Sequence, residues 1–145
     1  MKLIIPIFVS MMILFSCRPE AQTSARRIVY DAGDQQVISH AVNKKSATMS
    51  ILYGNAAAYN AALAGNGTHQ PGAQYTLVTW QYHENPLFYG SNINGELLSV
   101  EKLAVKPGKT DYQVESGKVL PVNGVLLDTE KRKNYILGYR PSIMP

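Results

Sequence analysis

The stretch Ala73-Gln74-Tyr75-Thr76-Leu77-Val78-Thr79-Trp80-Gln81-Tyr82-His83 decides how the fold is read. Side chains alternate along a strand, so Thr76, Val78, Trp80 and Tyr82 share one face, and Tyr75, Leu77, Thr79, Gln81 and His83 share the other. Both faces are partly apolar. That predicts a central strand with material packed on each side. Asn85-Pro86 ends it.

Upstream, Thr48-Met49-Ser50-Ile51-Leu52-Tyr53 is apolar and partly β-branched, and it stops at Gly54, as a second strand would. Asn55 can then cap a helix through Ala64, because its side-chain oxygen can accept from the unpaired N–H groups of the first turn. Alanine, the best helix former, dominates this segment, and Gly65 supplies the stop. Further upstream, Asp34 to Lys45 places Val37, Ile38, Ala41 and Val42 at helical spacing behind an Asp34 cap, which predicts another helix.

Downstream, Glu96 to Val105 reads as a strand bounded by Asn94-Gly95 and Pro107-Gly108, and Asp111 to Val119 as a weaker one. Near the C-terminus, Asp128 caps a helix beginning Thr129-Glu130. Arg132, Tyr135, Ile136 and Tyr139 form its stripe at i, i+3, i+4 and i+7, and Pro141 stops it. Strands in the middle with helices around them predict an α+β domain, a mainly antiparallel sheet core with flanking helices.

The N-terminus carries a different message. Met1-Lys2 is followed by an apolar run from Leu3 to Phe15, too short for the roughly 20 residues of a spanning helix. It suits the h-region of an export signal. The run ends Leu14-Phe15-Ser16-Cys17, the pattern of bacterial lipoprotein signals, in which the thiol takes a diacylglyceryl group. The competing reading is an ordinary secretory signal cut near Ala21. Cys17 is the only cysteine of the 145 residues, and one unpaired thiol has little use in an oxidising compartment unless it is modified. This divides the chain into a signal (1–16), a polar tether (17–22) and one domain (23–145).

Charge is mild. Removing residues 1–16 takes away Lys2 and leaves 13 basic against 10 acidic side chains. Apart from Arg26-Arg27, Lys44-Lys45 and Lys131-Arg132-Lys133, the charges are scattered. No focused patch for nucleic acid is formed.

Taken in order, Thr48 to Asn55, Pro71-Gly72-Ala73, Val78-Thr79-Trp80 and Phe88-Tyr89-Gly90-Ser91-Asn92-Ile93-Asn94-Gly95 resemble the cytochrome P-460 family. Members carry a strand ending Gly-Asn before an Ala-rich helix, and a Pro-Asp-Gly turn before a strand ending near Trp. Here the turn lacks its Asp. The ending Pro141-Ser142-Ile143-Met144-Pro145 is similar to that of non-haem members. The resemblance covers about Thr48 to Val105 and implies a periplasmic, β-rich, often dimeric protein. Haem-bearing members attach a c-type haem through Cys-x-x-Cys-His and cross-link a lysine to the porphyrin. Two thioethers need two thiols, and the His supplies the axial nitrogen. With Cys17 as the sole thiol and no His after His83, covalent c-type haem is excluded by inventory.

Of the remaining residues, His40, His69 and His83 show no ligand spacing, and no metal site is expected from them. His83, after Trp80 and Tyr82 and before Glu84, is the best candidate if haem is held without covalent bonds. Glu96 and Glu101 lie an odd number apart, so they should face opposite sides, solvent-facing or locally paired. Tyr53, Tyr59, Tyr75, Tyr82, Tyr89 and Tyr135 read as half-buried residues with wet hydroxyls. No catalytic residue is nominated.

The expectation is therefore a lipid-anchored envelope protein whose haem-less domain is a binding or interaction module rather than an enzyme. Its expected partner is the membrane, through the anchor, with a homodimer implied by the resemblance. Arg18 after the cysteine suits outer-membrane delivery, with the domain in the periplasm or at the surface. The alternative is a redox or gas-binding protein with non-covalent haem, and a second alternative is a structural envelope lipoprotein.

Overall fold

A computed structural model describes residues 29–85 and 87–141. The signal, Cys17, the tether, Pro86 and the ending 142–145 lie outside the described residues. Five strands follow one another across a single antiparallel sheet: β1 (Gln36–Asn43), β2 (Thr48–Gly54), β3 (Gln74–Glu84), β4 (Asn92–Lys106) and β5 (Lys109–Gly117). Helix α1 (Ala56–Ala64) joins β2 to β3, and α2 (Thr129–Leu137) follows β5. The described chain is mostly β, and both helices pack on the same face of the sheet.

β3 is central, as its two apolar faces require. On the helix side, Tyr75 and Leu77 join Ile38, Leu52, Leu103, Ala58, Ala62 and Ile136 in the larger core. On the far side, Val78 and Trp80 pack with Val100, Leu97, Met49, Ile51, Tyr53 and Tyr30. No helix of the described residues covers that face.

Asn55 caps α1 as its side chain suggested, and it does more. Its Oδ1 accepts from Ala58 N at 3.0 Å and from Gln74 N at 3.1 Å, while Nδ2 donates to Gly72 O at 2.8 Å. One amide thus ties the helix start to the start of β3. Gly65 closes α1 with φ 62°, the left-handed conformation glycine adopts without strain. The helix comes so close to the sheet at Gly54 that a Cβ there would sit 2.5 Å from Ile38 Cδ1 and 2.8 Å from Ala58 Cβ.

Four expectations are corrected. Residues 34–45 do not form a helix: Gln36–Asn43 is strand β1, paired with β2. A bulge between Val37 and Ser39 puts Ile38 and Ser39 both toward the helices, which hides the two-residue alternation and mimics helical spacing. Asn94-Gly95 does not bound β4, which begins at Asn92. Gly95 lies inside the strand, and the His83 imidazole occupies the space over it, 2.6 Å from where a Cβ would be. The C-terminal helix ends at Leu137, so Tyr139 continues its stripe from beyond the helix. β5 is offset from the expected Asp111–Val119 by two residues at each end.

Candidate functional site

The helix-side face of the sheet changes character halfway along. Under the helices its residues are mainly Leu52, Tyr75, Leu77 and Leu103, with Ser39 and Glu101 among them; beyond them they are Thr48, Ser50 and Thr79. The change has a physical reason: α1 and α2 cover only the first part, and hydroxyl side chains are tolerated where a floor is not sealed by apolar neighbours. Ser50 Oγ and Thr79 Oγ1 are 2.9 Å apart on this floor.

Above it lies a cleft of about 600 Å³, walled by α2 and by the segment Leu120-Pro121-Val122-Asn123. That segment is held by a tight turn. Val122 and Val125 exchange both backbone hydrogen bonds, at 2.9 and 3.0 Å. Asn123 and Gly124, at φ 51° and 82°, supply the left-handed backbone an Asn-Gly turn requires.

The α2 wall presents Arg132, Tyr135 and Tyr139. The hydroxyls of Tyr135 and Tyr139 lie 2.7 Å apart, and the Arg132 guanidinium sits 5.0 Å from the centre of the Tyr135 ring. Burial, with the Tyr135 contact, pushes the Tyr139 hydroxyl well above the usual phenol range, so it stays protonated. Lys44 stands among the lining residues and no carboxylate does. The cleft therefore offers neutral hydroxyls, one lysine and the Glu101-paired Arg132, suited to hydrogen-bonding a small polar or anionic molecule.

Arg132 is fixed from behind. Its Nε and Nη2 donate to the two oxygens of Glu101 at 2.7 and 2.6 Å, and Nη1 donates to Leu120 O at 3.3 Å. Tyr112 OH donates to Glu101 Oε2 at 2.7 Å, and Ser99 Oγ makes a longer contact of 3.4 Å to Oε1. Burial, followed by the hydrogen bond to Glu101, pushes the Tyr112 hydroxyl up. This network joins α2, the 120–123 wall and the sheet.

The expectation that Glu96 and Glu101 are each solvent-facing or locally paired needs correcting for Glu101. Glu96 is exposed, but Glu101 is fully buried, and its ion-pair partner lies 31 residues along the chain rather than nearby. A bulge beside Leu98 also breaks the parity on which the face assignment rested: Thr79 pairs with Ser99 and Trp80 with Leu97. The signal for this network was present as two misfits. Glu101 alternates with Leu103 and Val105, and Arg132 sits in the stripe with Ile136. Each is a charge on an apolar face, and such charges need each other.

The histidines are not brought together. His83 is exposed on the β3–β4 hairpin, away from the cleft. His40 is exposed on β1. His69 follows α1, and its Nδ1 lies 2.6 Å from Tyr75 OH. Burial lowers the pKa of His69 and pushes Tyr75 up to about 12. No histidine lines the cleft, so it offers no imidazole for an axial position. Among the described residues, no three His, Cys, Asp or Glu side chains converge as a metal-ion cluster would need. The tyrosines are dispersed. Tyr135 lines the cleft, Tyr75 is in the core, Tyr53 packs on Tyr30 across the sheet, and Tyr89 is exposed.

No protein-family model matches the chain, and no curated protein resembles it significantly.

Proposed function

We propose that this chain is an envelope lipoprotein, anchored through Cys17, whose α+β domain binds a small polar or anionic molecule in the cleft between the sheet and the 120–123 segment. The observation that carries the binding assignment is the hydroxyl floor. The mainly apolar face under the helices turns to Thr48, Ser50 and Thr79 where the cleft begins. Ser50 and Thr79 bond each other at 2.9 Å and line the cleft, where a ligand can share their hydroxyls. The volume falls within the range of small-molecule sites. The order of motifs shared with the cytochrome P-460 family supports a common ancestry with its haem-less members and a homodimer.

The test is a ligand screen on the purified chain by thermal shift, with haemin included and the visible spectrum recorded. Small carboxylates, phosphates or polyols should raise the melting temperature, and Thr79→Val should abolish the shift while leaving the unliganded fold intact. A Soret band retained through gel filtration would replace this reading with the haem alternative. A screen in which nothing shifts the wild type, with Thr79→Val behaving identically, would leave the structural lipoprotein.

A further inference from the structure

The hairpin between β3 and β4 runs beyond its neighbours. β2 leaves β3 at Thr48–Gln81, and β5 leaves β4 at Gly117–Ser99, whereas β3 and β4 stay paired to Glu84–Asn92. At its tip, Leu87, Phe88 and Tyr89 are 83%, 66% and 108% exposed. Three consecutive large apolar side chains in water require an explanation, since soluble domains rarely gather them at one point.

The tip is also built. Asn85 N donates to Ser91 O at 2.9 Å, Ser91 N to Phe88 O at 3.1 Å, and Leu87 N to Asn85 Oδ1 at 2.9 Å. Ser91 Oγ donates to Phe88 O at 2.9 Å. Part of its backbone is thus satisfied from within, which lowers the cost of bringing the tip to an interface.

Charge sorts to the same end. Of the eight described lysines, Lys102, Lys106, Lys109, Lys131 and Lys133 form ion pairs. Lys44, Lys45 and Lys118 form none among the described residues, and all three are exposed. Lys44 and Lys45 are in the β1–β2 turn, whose Ala47 O accepts from Tyr82 N at 2.9 Å. Lys118 N donates to Leu98 O, close to the Trp80–Leu97 pair. They stand behind the hairpin, with Glu84 and Glu96 the carboxylates of that region.

We infer that this end of the sheet docks on a lipid bilayer, Leu87-Phe88-Tyr89 entering the interface and Lys44, Lys45 and Lys118 meeting lipid phosphates. The inference rests on the Cys17 anchor for its geometry. Twelve Cα–Cα steps separate Cys17 from Val29, a reach of up to about 40 Å. Tyr30 packs beside Tyr53, which pairs with Thr76 near the opposite end of β3. From Thr76 to Glu84 the strand spans roughly 27 Å. An anchored chain is therefore long enough for acyl group and hairpin tip to touch one membrane plane. Apolar side chains backed by lysines are a recurring interfacial pattern.

The test uses the full chain purified from membranes, its acyl mass first confirmed, with a fluorophore on Phe88→Cys and, separately, on Leu63→Cys at the exposed face of α1. In phosphatidylcholine–phosphatidylglycerol vesicles containing a lipid-borne quencher, the label at 88 should be quenched at least about fivefold more than the label at 63. Equal quenching would overturn the inference. Protection at 88 that depends on protein concentration, without lipid quenching, would overturn it in favour of a second copy of the chain. A chain with no acyl mass refutes the anchor alone. Flotation of that chain with the same vesicles then decides: the wild type should float about fivefold more than Leu87→Ser/Phe88→Ser/Tyr89→Ser, and equal flotation would overturn the membrane contact.

Discussion

Arg132 on α2 and Glu101 in the middle of β4 meet in a two-pronged ion pair with side chains only 4% and 0% exposed. The pair fixes the helix that walls the cleft. Desolvating both charges offsets most of their attraction, so the pair adds little net stability, but neither member can be lost alone. Arg132→Met should destabilise the fold by about 3–5 kcal/mol, because it strands a buried carboxylate. The double variant Arg132→Met/Glu101→Leu should recover most of that loss. Urea unfolding of the single and double variants checks this; a double variant no better than the single one would show that the pair is not what the helix depends on.

Gly54 marks the closest approach of α1 to the sheet. Gly54→Ala forces its methyl against Ile38 Cδ1 and Ala58 Cβ, and should cost about 1–3 kcal/mol. Ile38→Val removes the offending Cδ1, so the double variant should be more stable than additivity of the two single losses allows. Strict additivity would remove the clash as the cause.

Asn55 makes three contacts from one side chain, to Ala58, Gly72 and Gln74. Asn55→Ala should lose about 2 kcal/mol, the upper end for a helix cap, and Asn55→Asp less, because it keeps the acceptor but not the donor to Gly72. Denaturant midpoints of the two variants rank them; the reverse order would contradict the assignment.

His69 contributes to the acid limit of stability, and Tyr75, with Tyr112 and Tyr139, to the alkaline one. Burial lowers the folded pKa of His69, so the unfolded chain binds more protons at mildly acidic pH, and stability is lost as pH falls through the ordinary histidine value of about 6.5. Burial raises Tyr75 to about 12, so the folded state holds its proton longer and stability is lost as pH rises above about 10. Melting temperature should drop between pH 7.5 and 5, and His69→Gln should flatten the acid limb. An acid limb unchanged in that variant would place its cause elsewhere.

Much of this architecture was legible because local signals agreed with the tertiary ones. The Ala73–His83 alternation is a central strand, Asn55 and Gly65 bracket α1, and Asp128 caps α2 through Lys131 N at 2.9 Å. What was not legible involved bulges. Those beside Ile38 and Leu98 shift which residues share a face, and a bulge is set by cross-strand pairing rather than by composition. The cleft was hidden for another reason: Ser50 and Thr79 are 29 residues apart, and nothing local connects them to the Asn123-Gly124 turn that faces them. Glu101 and Arg132 could have been paired as two charges misplaced on apolar faces.

The envelope address in the proposed function, and the reach that brings the hairpin tip to the membrane, depend on what happens at Cys17. The most direct measurement is the intact mass of the chain expressed in a bacterium and extracted from its membranes. The account predicts a protein lacking residues 1–16 and carrying diacylglycerol on the Cys17 sulfur. A soluble product cut near Ala21, without acyl mass, would contradict it.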